Sequence, residues 1–213
     1  MEHELGLTKA NRLRLAAAFR NHKRVDYSIE CAIEGQMGRA FVDDPVHPAA
    51  YRITVGPFWY FAGEAHSPGG VAMMKGFPAY NLLMPSPNDW LEVARKVFGD
   101  SFVSFPRYRF SSGELSLSYL ESLLAESDWK EEVMPLDGDL AVRLSNQPES
   151  PLELSDFDSV EDFLARGLAY TCLDTDRIMG VAYSSLVWSQ GIEVSIFIEE
   201  QYRRKAVGTA LAA

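Results

Sequence analysis

Cysteine is nearly absent from this chain: Cys31 and Cys172 are the only two among 213 residues. Two thiols so far apart form no framework, so neither disulfide stapling nor a paired-thiol metal site organises the fold. They read as buried free thiols of a reducing compartment, which places the protein in the cytoplasm. Histidine is equally sparse. His3, His22, His47 and His66 show no metal spacing, so no metal is expected. His47, beside Asp43 and Asp44, reads as turn chemistry. No apolar run approaches the roughly 20 residues that span a bilayer. Met1 to Ala10 carries Glu2 and Glu4 and no hydrophobic segment, so neither a membrane partner nor a signal peptide is expected. Positive charge is short as well, 20 Lys and Arg against 30 Asp and Glu, for a net charge of −10. A nucleic-acid binder displaces counterions with a basic face that this chain lacks. An acidic surface would instead draw a cationic acceptor such as an amine. The chain also has no G-x-S-x-G elbow and no Gly-Lys pair for a Walker loop.

The patterning that remains is that of a mixed α/β protein. Thr8 caps a first helix with Ala10, Leu13 and Ala17 at helical spacing. Tyr27, Ile29, Cys31 and Ile33 alternate with polar or small residues and predict a strand. Residues 34–38 turn into a second strand, Arg39 to Asp43. Strands near Tyr51–Val55 and Phe58–Ala62 follow, bounded by Gly56-Pro57 and Gly63. Phe58-Trp59-Tyr60-Phe61 reads as core or interface rather than a base-stacking platform. Residues 64–88 read as loop, ending in Ser86-Pro87-Asn88-Asp89, a helix start with Ser as cap and a stripe of Leu91, Ala94 and Phe98. A strand near Phe102–Phe110 and a helix near Leu117–Glu126 close this half. Asp128 to Asp139 is acidic, contains Pro135 and Gly138, and reads as a linker. Leu140, Val142 and Leu144 predict a strand beyond it. Ser159-Val160-Glu161-Asp162 is a capping box opening a helix. Leu168–Leu173, Ile178–Trp188 and Ile192–Ile198 then predict a three-stranded antiparallel meander, its first turn at residues 174–177. The expected organisation is an N-terminal α/β subdomain over residues 1–130 and a second domain over 135–213.

The segment with most chemistry is the last. An apolar strand ending Ile196-Phe197-Ile198 runs into Glu199-Glu200-Gln201-Tyr202, then Arg203-Arg204-Lys205-Ala206-Val207-Gly208-Thr209, which opens a helix. Unpaired backbone N–H groups at a helix start carry partial positive charge, a small residue lets a phosphate approach, and three cations reinforce the field. This is an anion site suited to a pyrophosphate. The competing reading is a solvated charge run. Ile196, Phe197 and Ile198 read as ordinary core by side chain, a role compatible with backbone pairing to a ligand.

These residues resemble the coenzyme A loop of the GNAT superfamily of N-acetyltransferases, whose pattern is Arg or Gln, two residues, Gly, one residue, then Gly or Ala. Arg203 stands at its first position, Gly208 at its last, and Ala206 where Gly is usual. Residues 156–164 ahead of 167–172, together with 38–44 and 58–63, resemble a GNAT subgroup related to zwittermicin A resistance proteins. There an N-terminal α/β region precedes the GNAT domain, so the likeness covers nearly the whole chain. The resemblance implies an acyl-CoA N-acyltransferase fold, acetyl-CoA as co-substrate and a small-molecule amine as acceptor. It implies that Ile196, Phe197 and Ile198 pair by backbone with pantetheine, and that Arg203, Arg204, Lys205, Ala206, Val207, Gly208 and Thr209 hold the pyrophosphate. Glu193, on the strand that lines the reaction cleft in the family, is the candidate general base; a surface carboxylate on a polar strand face is the alternative. The resemblance also implies that a further strand, helix and hairpin would follow Ala213. Without them the GNAT domain is incomplete, the 213-residue chain is expected to be a poor catalyst, and its last strand edge is expected to pair with a second copy as a homodimer. The rival function is a catalytically inactive GNAT-fold protein acting as a binding or regulatory module.

Overall fold

The computed structural model describes residues 2–213 except 85, 86, 107, 109–112, 114, 148, 149 and 176. The chain divides into two compact units, Met1–Arg109 with Trp188–Gln190, and Phe110–Val187 with Gly191–Ala213.

The first unit is built on a five-stranded sheet. Its strands are β1 (His3–Glu4), β2 (Arg39–Val42), β3 (Ala50–Val55), β4 (Phe58–Gly63) and β5 (Leu82–Leu83), hydrogen-bonded in that order. β1 to β4 are antiparallel neighbours and β5 runs parallel to β4. Helices α1 (Lys9–Ala18), α2 (Ser28–Glu34), α3 (Pro68–Lys75) and α4 (Asn88–Phe98) complete it. Phe61, Met73, Met74, Trp90 and Val93 form the heart of its core. Tyr60 and Phe61 are fully buried, as expected for that aromatic run. The Asp43–His47 segment is turn chemistry, as read: Asp44 Oδ1 accepts from the N–H groups of Val46 and His47, both at 2.8 Å. Those two donors hold the Asp44 carboxyl below its ordinary range.

Several expectations in this half are corrected. Residues 28–34 form helix α2, not a strand. Ile29, Ala32 and Ile33 fall at i, i+3 and i+4 as well as near alternation, so both periods fit a run this short. Asp26 Oδ1 accepts from Ser28 N at 3.0 Å, and Gly35 ends the helix at φ 68, which decides for the helix. Residues 64–88 are not simply loop: α3 lies within them, its N-terminus capped by Ser67 with Pro68 at the first helical position. The cap proposed at Ser86 lies outside the described residues; α4 has Pro87 at its cap position and no side-chain cap. Of the expected stripe Ala94 is buried, whereas Leu91 and Phe98 are half-buried and Trp90 and Val93 take the other buried positions. In α1, Thr8 caps as expected, but Leu15 faces inward and Leu13 outward. The described part of 102–110 forms no strand, and residues 107, 109 and 110 lie outside the description.

The second unit contains α5 (Leu117–Ala125), β6 (Val133–Pro135), α6 (Gly138–Ser145), α7 (Val160–Arg166), β7 (Ala169–Asp174), β8 (Arg177–Trp188), β9 (Gly191–Ile198) and α8 (Val207–Ala212). Its sheet has the order β6-β7-β8-β9. β7 pairs antiparallel with both β6 and β8, with a bulge at Cys172/Leu173. The meander and the Ser159 cap agree with the sequence reading; Ser159 Oγ accepts from Asp162 N at 3.1 Å. The presumed linker is not one, since β6 and the start of α6 lie inside it. Leu140–Leu144 is helical: Asp137 caps, Leu140, Ala141 and Leu144 are buried, and Val142 is exposed. Three apolar residues at alternate positions thus sit on two faces of a helix, because Ala141 supplies the missing buried position. Asp176, read as part of the turn before β8, lies outside the described residues; Thr175 before it is left-handed at φ 58.

Gly180 in β8 closes this unit. A Cβ there would meet Phe197 O at 2.7 Å, Ile198 Cδ1 at 2.6 Å and Leu211 Cδ1 at 3.0 Å. The absence of a side chain lets β9 and α8 lie against β8. This is an α/β protein with mixed and antiparallel sheets.

Candidate functional site: the β9–α8 loop

β9 ends at Ile198, a short 3-10 turn spans Glu200–Tyr202, and α8 begins at Val207, so the strand, basic turn and helix follow in the expected order. The loop is held from within. Tyr202, buried at its root, donates its hydroxyl to Asp174 Oδ2 at 3.0 Å. Arg203 Nε donates to the carbonyl of Ile198 at 3.1 Å. The indole Nε1 of Trp129 donates to the carbonyl of Lys205 at 2.7 Å. Val207 and Leu211 sink into a core with Cys172, Met179, Ala182 and Tyr202, with Trp129, Val133 and Ile198 packed around it.

Two non-glycine residues in the loop are left-handed, Arg204 and Ala206, both at φ 61. The position where Ala stands is therefore one that glycine would fill without strain. A left-handed residue leading into a helical one turns successive backbone N–H groups to one side, the concave arrangement that accepts anions. Arg203, Arg204, Lys205, Ala206 and Thr209 are exposed, Gly208 is half-buried and Val207 is buried. Lys205 Nζ stands 5.5 Å from the Tyr202 ring centroid. Among the described residues, neither Arg204 nor Lys205 has a carboxylate within ion-pair distance. Two cations beside a concave run of backbone donors suit a phosphate-bearing ligand. Arg203 differs from its neighbours, because its Nε is engaged in shaping the loop.

On β9 the apolar residues do not all face inward. Val194 is 56% and Ile196 45% exposed, while Phe197 and Ile198 are half-buried. Ile196 is thus corrected as a core residue. Glu193 is half-buried and shares a strand face with Ser195 and Phe197 by the two-residue repeat. Ser185 Oγ donates to the backbone carbonyl of Glu193 at 3.4 Å. The phenol of Tyr183 on β8 accepts from Glu153 N at 3.2 Å. Burial pushes the Tyr183 phenol above its ordinary range. Cys172 is fully buried, and burial, with the Glu132 charge second, pushes its thiol up to about 11. It is a core residue, not a nucleophile.

Sequence reasoning missed Trp129, which sits 76 positions before its partner in a stretch read as linker. A single tryptophan in an acidic run was the only signal. Elsewhere, a cavity of about 500 Å³ in the first unit is lined by His66, Val71, Lys75, Val93, Lys96 and Val97, apart from the candidate residues. Among the described residues, no group of three or more His, Cys, Asp or Glu side chains could hold a metal ion, and no helix is long and apolar enough to cross a membrane.

Comparison with known proteins defines the class. A profile of the family described as GNAT acetyltransferase matches residues 18–213, and the chain belongs to that family. Among solved structures it is similar to a GCN5-related N-acetyltransferase-like protein from Streptococcus suis 89/1591. That match has a TM-score of 0.80 at 25% identity, and covers 97% of this chain and 82% of the other. No functionally curated protein matches it in sequence.

Proposed function

We propose that this protein transfers an acetyl group from acetyl-CoA to an amine of a small molecule. The observation that carries the reading is the β9–α8 loop, where Arg204 and Ala206 are left-handed and Arg204 and Lys205 have no ion pair among the described residues. The loop and Thr209 receive the pyrophosphate. The backbone of Ile196–Ile198, on a strand with one neighbour among the described residues, offers hydrogen bonds to the pantetheine amides. Glu193 takes a proton from the acceptor ammonium. The free amine attacks the thioester carbonyl carbon; a C–N bond forms, the C–S bond breaks, and the nitrogen gives up a second proton that ends on the departing coenzyme A thiolate. No covalent enzyme intermediate is required. Residues 38–44, 58–63, 156–164 and 167–172 support placing the protein in the subgroup related to zwittermicin A resistance proteins. We place it in the cytoplasm on its two buried free thiols. The exposed Val194 and Ile196 on β9 support self-association with a second copy.

A binding or regulatory module with the same fold is the second reading, favoured by alanine at the left-handed position 206. Calorimetric titration with coenzyme A, followed by thiol release from acetyl-CoA across a panel of amines, separates the two. Binding with weak turnover is the expected result, since the 213-residue chain is expected to be a poor catalyst. Binding with no turnover on any amine selects the module, and absence of binding removes the acetyltransferase reading.

A further inference from the structure

We propose that Trp129 is the positioning residue of the phosphate loop: its indole N–H holds the 205–206 peptide plane so that the Ala206 N–H faces outward to an anion. The proposal builds on the acetyl-CoA reading above and adds a residue to it.

The geometry starts from the 2.7 Å bond between Trp129 Nε1 and the Lys205 carbonyl. In a trans peptide the C=O and the following N–H lie in one plane and point in opposite directions. A Lys205 carbonyl fixed toward Trp129 therefore turns the Ala206 N–H away from it. The same plane sets φ of Ala206, which is +61°. Alanine disfavours that value, and rotating the plane by about half a turn would return φ to the negative range. The loop as built is thus not the one Ala206 would choose locally, and the Trp129 bond opposes the flip. The donor is itself well fixed. Trp129 packs against the core that contains Tyr202, Val207 and Leu211. Its own N–H donates to Ser127 Oγ at 3.1 Å, and its carbonyl accepts from Glu132 N at 3.1 Å.

Trp129→Phe keeps most of the packing and removes only the donor. We expect it to raise the KM for acetyl-CoA and the Kd for coenzyme A about five- to tenfold, the size of one neutral hydrogen bond. kcat and the melting temperature should change little. Ala206→Gly, placed in the Trp129→Phe background, should recover most of the affinity, because glycine holds φ +61 without the bond. A ligand-free readout runs alongside: the 13Cα and 13Cβ shifts of Ala206 report the sign of φ and should move to right-handed values in Trp129→Phe. Shifts that stay left-handed overturn the proposal, whatever happens with coenzyme A. So does a double variant that binds no better than Trp129→Phe. If the shifts move but the wild-type protein binds no coenzyme A, the positioning role of Trp129 stands and the acetyl-CoA reading fails.

Discussion

Arg203 and Ile198 are joined by a hydrogen bond from the guanidinium Nε to the backbone carbonyl, 3.1 Å long, which closes the base of the loop after β9. The three consecutive cations are therefore not equivalent. Arg203 shapes the loop, whereas Arg204 and Lys205 stand exposed without ion pairs among the described residues. Both kinds of residue matter to an anion, by different routes.

Arg204→Ala should lower coenzyme A affinity by roughly 1.5–3 kcal/mol through loss of a charge-assisted hydrogen bond, leaving the fold intact. Arg203→Ala should also weaken binding, and Arg203→Lys should not restore it, since lysine has no Nε to bridge to Ile198. Titration calorimetry decides this. Wild-type affinity in both alanine variants would return the charge run to the role of a solvated surface.

Ala206→Gly should stabilise the protein by about 1 kcal/mol, because the native φ of 61 is strained for alanine and open to glycine. Coenzyme A affinity should hold or improve. Chemical denaturation measures the first effect, and a loss of stability on this substitution would contradict the loop conformation.

Glu193→Gln should slow turnover with little change in acetyl-CoA binding. The deficit should shrink as pH rises, because the acceptor amine then loses its proton unaided. A pH–rate profile identical to wild type would take Glu193 out of the mechanism.

His22 provides a prediction on stability. It is buried between Phe19 and Tyr60, its Nδ1 bonds the Lys23 carbonyl at 3.1 Å, and its Nε2 has no hydrogen-bond partner among the described residues. Burial lowers its pKa in the folded state below the ordinary 6.5, and the neighbouring Arg24 charge acts in the same direction. As pH falls below 6.5 the unfolded chain takes up a proton that the folded chain refuses, so stability falls. The loss continues to the folded-state pKa and then levels. Relative to His22→Phe, wild-type protein should therefore lose denaturant resistance as pH drops from about 6.5 toward 5. Parallel curves for the two proteins would show that His22 is not buried in its neutral form.

Much of the second unit was legible without the structure. Alternation over 168–173, 178–188 and 192–198 reads as strands because each run is long enough for one period to dominate. The Ser159 cap was legible because its side-chain bond spans only three residues. The basic turn before Val207 was legible because like charges cluster in an acidic chain. Shorter runs were not. Residues 28–34 and 138–145 fit both a two-residue and a helical period, and α3 hides among glycines that read as loop.

By itself the amino-acid order determined the local terms: where strands alternate, where helices are capped, where cations gather, and which residue types stand in the loop. Only the tertiary structure decided the left-handed turn at Ala206, the outward face of Ile196, and the bond from Trp129 to Lys205. The reason is physical. A backbone conformation that alanine disfavours is held by contacts from elsewhere in the chain, and a contact across 76 residues leaves no periodic trace in the sequence.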